Sequence, residues 1–545
     1  MKKLKIILPI ILIGFLMFYI GLPVINYGFI NLPIMLLVLT VLTIILFTGI
    51  QISQQTKQIK IQNKPSKIFF IIIGALLFYI IGLPLLTSLP MFRSEAYKNL
   101  IGKVANGKAI ANHIAPISID EIRVVDQDLA YLLGEKILGS QPALGSQVEL
   151  GDFCIQKVGK DLYWVAPLLH SGFFKWFNNQ EGTAGYVMVS ATNERDVKLV
   201  QNIGGKDIKI KYQPEAYFGS EISRHIYMNG HETVGLTDYT FEIDDNGKPY
   251  WVVTKYDKKV GFSGNDAIGI VVVDAQTGDM KDYSIANAPK WVDRIQPIDI
   301  IEEQLTDWGE YVHGYWNFSN ANKLQITEGL TLVYGKDNKS YWYTGLTSVG
   351  KDESAVGFVL VDTRTKEATF YKQSGATEIA AQSSAQGKVQ EKKYKASTPI
   401  PYNINNIPTY VMTLKDEGGL VKMYAMVAIS DYTIVGVGNS MRETLTAFKN
   451  VYNMAGNKMN AASFTNKKSL KSVVTRIHND VKNGNSFYYF TTKDYPNIFV
   501  GSSQISNQLP VTIVGDSVSV SFDVDKEEVI DVSTFENITM KKKTK

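Results

Sequence analysis

The chain has 545 residues, more than one hydrophobic core supports, so roughly three or four units of ordinary domain size are expected. Charged residues make up 20% of the chain and the net charge is +4, which argues against a nucleic-acid-binding protein, because such proteins concentrate basic residues on one face. The single cysteine, Cys154, excludes an intramolecular disulfide and a cysteine-based zinc or iron–sulfur site, and its apolar neighbours indicate a buried thiol.

Three apolar runs without a charged residue lie near the amino terminus, at 6–24, 32–50 and 68–89. Each has about 20 residues, enough to cross about 30 Å of hydrocarbon as a helix. The sequence therefore predicts three transmembrane helices within residues 1–90, followed by a connector at 91–117.

Basic residues beside the three runs give an orientation. They lie before the first run and between the second and third (Lys2, Lys3, Lys5, Lys57, Lys60, Lys64, Lys67), and fewer follow the third (Arg93, Lys98, Lys103, Lys108). Because positive residues are enriched on the cytoplasmic side, we expect a multi-pass protein of the cell membrane. Its amino terminus would be cytoplasmic and residues 91–545 would be extracytoplasmic.

A hairpin pattern recurs along the rest of the chain. An aromatic strand start is followed, after a polar excursion, by an apolar strand that ends at a turn. Its copies pair Tyr163-Trp164 with 185–190, Tyr250-Trp251 with 269–274, Tyr341-Trp342 with 357–362 and, more faintly, Tyr410 with 425–430. Setting the second strands in register places Ser190, Asp274, Asp362 and Ser430 at one position. A recurrence of this kind indicates a repeat architecture.

Helical patterns precede the hairpins, for example at 297–312 and 440–452. A helix lying across each hairpin predicts an α+β fold of tandem helix–β-hairpin units after three transmembrane helices, with a short all-β carboxy-terminal segment. The predicted boundaries are 118–205, 206–290, 291–375, 376–437 and, for the last helix with the all-β ending, 438–545. Each tryptophan of a Tyr-Trp pair is interpreted as a core residue that anchors the helix, the alternative being a platform on which a ligand stacks.

The second copy also carries a family resemblance. Its strand Val271–Asp274 continues into Ala275-Gln-Thr-Gly278, which resembles the PepSY unit of exported bacterial proteins, where this strand commonly ends in an Asp-Ala-x-Thr-Gly turn. The match is partial at Asp362–Lys366 and poor at Ser190 and Ser430. The resemblance implies non-catalytic, extracytoplasmic binding or regulatory modules. The whole chain also resembles membrane-anchored proteins of Gram-positive bacteria.

Catalytic and metal-binding patterns were searched for and are incomplete. His225, His231 and Glu232 lack the His-Glu-x-x-His spacing of a zinc protease. Glu242–Gly247 imitates half of a calcium loop, but Val253 stands where a bidentate carboxylate is needed, so a hairpin turn at Asn246-Gly247 is favoured. Gly436-Val-Gly438 lacks the third glycine of a dinucleotide fingerprint. We therefore predict no catalytic residue, no metal and no cofactor.

One aromatic stretch, 167–177, interrupts the first hairpin. It is either a buried plug or a contact surface that reaches into the membrane interface, where aromatic side chains are favoured. The candidate binding residues are His170, Phe173, Phe174, Lys175 and Trp176.

The functional hypothesis is a membrane-anchored, extracytoplasmic binding, scaffold or regulatory protein of the bacterial cell envelope. Its expected partners are the membrane and an envelope protein or wall component, with no nucleic acid. The rival hypothesis is an envelope hydrolase acting on wall or peptide, with carboxylates contributed by separate repeats. The two differ because an enzyme needs one asymmetric cleft with perturbed acids.

Overall fold

The chain divides into two compact units, Met1–Asn457 and Lys458–Lys545. A computed structural model describes residues 4–543 except 49–50, 53–58, 61–65, 111–112, 115–116, 118, 336–338, 350–353, 458–466, 483–484, 504 and 524–528. Each unit is described by itself below.

The first unit begins with apolar helices, at Leu4–Gly21, Asn31–Thr48 and Lys67–Thr87. Only Lys67–Thr87, with 21 residues, is both long and apolar enough to span a membrane among the described residues. Within the described part of the chain, Leu8–Gly21 and Asn31–Leu46 are shorter apolar segments. The prediction of three transmembrane helices in a multi-pass topology is therefore not supported, and one candidate span remains.

The first helix ends before the predicted end of its apolar run. Its helix ends at Gly21, because Leu22 adopts a positive φ of 41° and Pro23 follows. The run continues to Val24 in the sequence, but its last residues are not helical. Hydropathy alone counts these residues as part of a span, whereas the backbone does not.

Four antiparallel sheets form the body of the first unit. The first sheet contains Val148–Leu150, Cys154–Val158, Asp161–His170, Tyr186–Ser190 and Val197–Val200. The second contains Gly235–Ile243, Pro249–Val260, Ser263–Asp274 and Met280–Tyr283. The third contains Leu324–Ile326, Thr331–Tyr334, Ser340–Ser348, Gly357–Asp362 and Ala368–Tyr371, with Ala105–Gly107 added in parallel at one edge. The fourth contains Lys395–Ala396, Ile400–Ile404, Ile407–Lys415, Val421–Ala428 and Asp431–Gly438.

Smaller elements connect these sheets. Further helices lie at Pro90–Lys98, Gln127–Gly139, Pro142–Gly145, Phe173–Asn178, Ile222–Ile226, Ile298–Glu310, Glu378–Gly387 and Met441–Met454. Short strand pairs lie at Gln51–Ile52 with Ile59–Lys60, Asn202–Ile203 with Lys206–Asp207, and Ser354–Ala355 with Gly375–Ala376. Four of these helices each precede one sheet in the chain: Gln127–Gly139, Ile222–Ile226, Ile298–Glu310 and Glu378–Gly387. The helix Met441–Met454 directly follows the fourth sheet.

The sheets stack on one another through their faces. On the first sheet, Trp164 and Val187 share a core with the third sheet, while Val165 and Tyr186, on the opposite face, share a core with the second sheet. The third sheet in turn packs its other face, which includes Phe358, against the fourth. The first and third sheets are therefore buried on both faces, which explains their nearly continuous apolar strands.

A repeated hydrogen-bond arrangement ties the chain to the end of each central hairpin. The carbonyl of the residue after the second strand accepts backbone N–H groups from the segment that enters the neighbouring helix. The bonds are Val124 and Val125 to Ala191, Lys211 and Tyr212 to Ala275, Ile295 and Gln296 to Thr363, and Ala376 to Ile429, all 2.7–3.0 Å. A backbone carbonyl of each of these segments also accepts a hydrogen bond from an aromatic side chain. The indole of Trp164 donates to Val125, that of Trp251 to Tyr212 and that of Trp342 to Gln296, and the Tyr410 hydroxyl donates to Ala376. The tryptophans therefore anchor the entering chain.

The predicted α+β fold of tandem helix–hairpin units is nevertheless wrong, and so is a membrane protein built as a row of PepSY-like repeats. The chain is rich in β-structure, each predicted hairpin being the centre of a sheet of four to six strands. The reason is that outer strands, with little apolar patterning, complete every sheet. The predicted register of the fourth copy is also wrong. The position assigned to Ser430 belongs to Ala428, which pairs with Thr409, the residue before Tyr410. Tyr410 therefore occupies the place of a tryptophan.

The second unit is a closed barrel. Its strands are Lys467–Lys482, Asn485–Thr492, Tyr495–Ser502, Ser517–Asp523 and Val529–Asn537, followed by a helix at Ile538–Lys543. Phe490, Phe499 and Phe522 fill its interior. Closure pairs the edges that an open sheet would expose.

Trp342 provides a test of the anchoring hydrogen bonds. Its Nε1 donates to the carbonyl of Gln296 at 2.9 Å in a buried environment. Trp342→Phe leaves that carbonyl without this donor, so we expect the free energy of unfolding of the full chain in detergent to fall by about 1–3 kcal/mol in urea denaturation. The control Trp316→Phe changes an exposed indole and should cost under about 0.5 kcal/mol. Equal effects of the two substitutions would contradict the anchoring role.

Candidate functional site

A cavity of about 740 Å³ opens among the first, third and fourth sheets. That volume is in the range of small-molecule sites. Its walls come from several distant parts of the chain, among them 123–128, 153–164, Arg294, 330–332 and 395–419. The stacking of the sheets brings these parts together.

Two arginines lie at one end of the cavity. Arg123 donates from Nη2 to the Leu332 carbonyl at 3.3 Å, and its backbone N–H donates to the Tyr402 hydroxyl at 3.1 Å. Arg294 donates from Nη2 to the Cys154 sulfur, while its Nε has no hydrogen-bond partner among the described residues. Neither guanidinium forms an ion pair with a carboxylate in the described part of the chain. Glu242 and Asp238 act on Arg294 electrostatically without forming an ion pair with it among the described residues.

Three acidic groups near Arg294, namely Glu242, Asp238 and Asp293, do not line the cavity. Glu242 is fully buried, and burial raises its pKa to about 8, an effect that the charge of Arg294 opposes. Burial also raises the pKa of Asp238 and Asp293. For Arg294 itself, burial works against the charge, but Cys154 and Glu242 raise its pKa above the ordinary value. Burial thus opposes the ionisation of these acids, while the guanidinium stays charged.

The opposite end of the cavity is acidic and more exposed. Lys415 forms an ion pair with Asp126 and a longer contact of 3.8 Å with Asp128. Asp416 forms an ion pair with Lys422 at 3.2 Å. The pKa of Asp416 is lowered, chiefly because the carboxylate accepts a hydrogen bond from the backbone N–H of Leu420. Between the two ends, the buried Thr413 hydroxyl has no hydrogen-bond partner among the described residues.

Several buried titratable groups lie near the cavity without lining it. The acids with raised pKa values, Glu242 and Asp238, do not line the cavity. Cys154 is buried, and burial raises the pKa of its thiol to about 12, which disfavours the thiolate needed for nucleophilic attack. No group of three or more potential metal ligands occurs among the described residues.

The predicted binding residues are divided between core and surface. His170 ends a central strand and is buried. Its backbone N–H donates to the Gln213 side chain at 2.8 Å, and burial lowers the pKa of its imidazole. Trp176 is also buried. Phe173, Phe174 and Lys175 are exposed on the helix Phe173–Asn178, with Phe174 77% exposed.

An exposed aromatic surface forms around these residues. We use "first aromatic surface" for Phe173, Phe174, Phe177 and Phe218, which Trp176 and Tyr217 support from below. Sequence reasoning missed Tyr217 and Phe218, which lie 40 residues further along the chain, although their aromatic pairing was a usable signal.

The first aromatic surface lies beside the end of the first apolar helix. The Arg224 guanidinium covers the Tyr19 ring at 4.4 Å and donates to the carbonyls of Tyr19 and Phe218. The Tyr227 hydroxyl donates to the Pro23 carbonyl at 2.6 Å. These contacts fix the helix Ile222–Ile226 and the residues beside it against the end of the first apolar helix.

A second aromatic surface was also missed. It consists of the exposed side chains of Tyr315, Trp316 and Phe318. The adjoining segment is attached to the helix Pro90–Lys98, which follows the candidate span: Lys98 donates to the Val312 carbonyl at 3.2 Å. The run Tyr-Trp-Asn-Phe at 315–318 is its sequence signal.

Comparisons with known proteins add little. No protein-family model matches the chain, and no curated protein matches it. Among solved structures, a levansucrase variant from B. megaterium is 8% identical, with a TM-score of 0.18 over 76% of this chain and 96% of that one. A Bombyx mori GH32 beta-fructofuranosidase is also 8% identical, with a TM-score of 0.16 over 76% of this chain and 71% of that one. Likenesses at this level assign neither a fold nor an activity.

Proposed function

We propose that this protein is a non-catalytic binding protein that is attached to a membrane and holds its stacked sheets against the lipid surface. The observation that carries the proposal is the position of the first aromatic surface beside the end of an apolar helix. Aromatic side chains are enriched at the boundary between lipid and water.

The helix Lys67–Thr87 supports attachment. It is 21 residues long, and none of its most apolar window is buried by the rest of the protein. Exposed apolar surface on this scale needs an apolar surrounding, which a bilayer supplies. The end of this helix contacts the second sheet, since Ser88 accepts the Phe262 N–H at 2.7 Å.

The cavity supports a binding role. It combines a polar lining with apolar side chains, and its described wall presents no acid with a raised pKa.

The test measures whether Phe174 contacts lipid. In a Cys154→Ser background, Phe174→Cys carries an environment-sensitive nitrobenzoxadiazole label, and the full chain is reconstituted in phosphatidylcholine–phosphatidylglycerol vesicles containing a lipid spin-labelled near its headgroup. We expect blue-shifted emission and several-fold stronger quenching than at the control Ser374→Cys, an exposed residue of the third to fourth sheet connection. Equal quenching at both sites would refute contact between the first aromatic surface and the membrane.

A further inference from the structure

We infer that the cavity binds a small organic anion with an apolar body, whose anionic group lies between Arg123 and Arg294. This deepens the binding part of the proposed function and is independent of contact with the membrane. The ligand class follows from three features of the cavity, taken in turn below.

The first feature is the uncompensated positive charge. The strand Thr331–Tyr334 lies next to both arginines. Arg123 donates to the Leu332 carbonyl, and the Tyr334 hydroxyl donates at 3.3 Å to Asp293, the residue before Arg294. Arg123 uses one side-chain donor on a carbonyl and Arg294 uses one on a thiol. A guanidinium has five N–H donors, which suit the paired oxygens of a carboxylate or phosphate. The orphan Nε of Arg294 is a buried donor with no acceptor in the described protein.

The carboxyl groups nearest to Arg294 do not remove this need. Burial raises the pKa of Glu242, Asp238 and Asp293, so these groups resist ionisation and compensate the guanidinium incompletely. An anion bound beside Arg294 would supply an ion-pair partner that this guanidinium lacks among the described residues. The site therefore gains from binding an anion in a way that a surface arginine does not.

The second feature is the apolar wall. Trp164, Phe153, Leu330 and Met412 line the space between the two ends. Burial of hydrocarbon or aromatic surface there is favourable because it removes apolar area from water. A ligand with an apolar body fits this wall better than an inorganic ion.

The third feature is the acidic rim. Asp128 and Glu417 are exposed where the cavity meets solvent, close to the Lys415–Asp126 pair. Asp126 and Asp128 follow Arg123 closely in the chain, but they lie at a different end of the cavity. Arg123 contacts Tyr402, which pairs with Thr409 near the start of the strand Ile407–Lys415. Asp126 forms an ion pair with Lys415 at the end of that strand. An anion is repelled at this rim and attracted at the arginine end, so the polarity of the cavity fixes the orientation of the ligand.

The experiment uses the full chain in detergent micelles and four probes of similar size. Benzoate and phenyl phosphate are anionic, while benzamide and benzyl alcohol are their neutral counterparts. We expect saturable binding of one or both anions by isothermal titration calorimetry, with dissociation constants of about 1 mM or below, and at least tenfold weaker binding of the neutral probes.

Arg123→Gln should weaken binding of the anions at least tenfold, because the charge is lost. The control Arg195→Gln, in an exposed turn of the first sheet, should leave binding unchanged. If Arg123→Gln does not fold, Arg123→Lys replaces it, and we expect about threefold weaker binding because the two-donor fork is lost while the charge is kept.

Three results would overturn the inference: no anion binding, neutral probes that bind as well as anions, or anion affinity unaffected by both Arg123 variants. The label at Phe174 separates this inference from the proposed function. Loss of anion binding with intact lipid quenching removes the ligand assignment alone, and the reverse result removes membrane contact alone.

Discussion

Gly436→Ala is expected to lower the free energy of unfolding of the first unit by about 3 kcal/mol. Gly436 lies in the strand Asp431–Gly438, directly beneath the helix Met441–Met454. A Cβ atom added at this position would lie 2.2 Å from the backbone nitrogen of Phe448 and 2.4 Å from its Cα. Backbone atoms cannot rotate away as a side chain can, so the helix must move as a body and pull Phe448 out of a fully buried position.

The measurement is urea denaturation of the full chain in detergent, together with limited proteolysis of the helix. Gly219→Ala is the matched control, because its added Cβ meets no atom within 4 Å. We expect the control to change stability by under about 0.5 kcal/mol and to leave the helix resistant to protease. A Gly436→Ala protein as stable as the control would show that the helix does not lie this close to the strand.

Gly436 also shows what the sequence could and could not reveal. The order of strand, Gly-Val-Gly and helix is visible in the sequence, and the helix predicted at 440–452 is found at Met441–Met454. The helix predicted at 297–312 is found at Ile298–Glu310. Both have one strongly apolar face, and such periodicity is a local property. The close approach of helix to strand is a tertiary contact, and no local pattern carries it.

The central hairpins were predictable for the same reason. Tyr250 pairs with Asp274, Tyr163 with Ser190 and Tyr341 with Asp362, as the alignment of the second strands requires. The fourth copy failed because its anchor is a tyrosine. A hydroxyl at Tyr410 makes the bond that an indole N–H makes elsewhere, and a search for Tyr-Trp aligns the wrong residue.

The cavity could not have been predicted. Arg123, Arg294 and Lys415 are far apart in the chain, and they share a cavity only because the first, third and fourth sheets stack. Stacking order depends on which faces match in shape, and the sequence shows only that the faces are apolar. The predicted binding residues His170 and Trp176 were aromatic or polar residues in a protruding segment, but the fold buries them.

Glu242 leads to the second prediction, a loss of stability as the pH rises. In the folded protein burial raises the pKa of Glu242 to about 8, against the opposing charge of Arg294. In the unfolded chain a glutamate titrates near pH 4.3. Between these values the folded state binds more protons than the unfolded state, so the free energy of unfolding falls as the pH increases. Each pKa unit corresponds to about 1.4 kcal/mol, which gives roughly 3–5 kcal/mol lost between pH 4.5 and pH 8 from this group.

Glu242→Gln isolates this contribution. Glutamine keeps the shape of the side chain and can accept the Thr240 hydroxyl that Glu242 accepts at 3.1 Å, but it does not ionise in either state. We therefore expect the variant to be more stable than the parent chain at pH 8 and to lose much less stability between pH 5 and pH 8. A residual slope is expected because burial also raises the pKa of Asp238 and Asp293. The control Glu391→Gln, at an exposed position, should reproduce the slope of the parent chain in urea titrations at several pH values. A Glu242→Gln protein with an unchanged slope would mean that Glu242 ionises in the folded state, and that Arg294 then has a buried counter-ion in place of the open position assigned to a ligand.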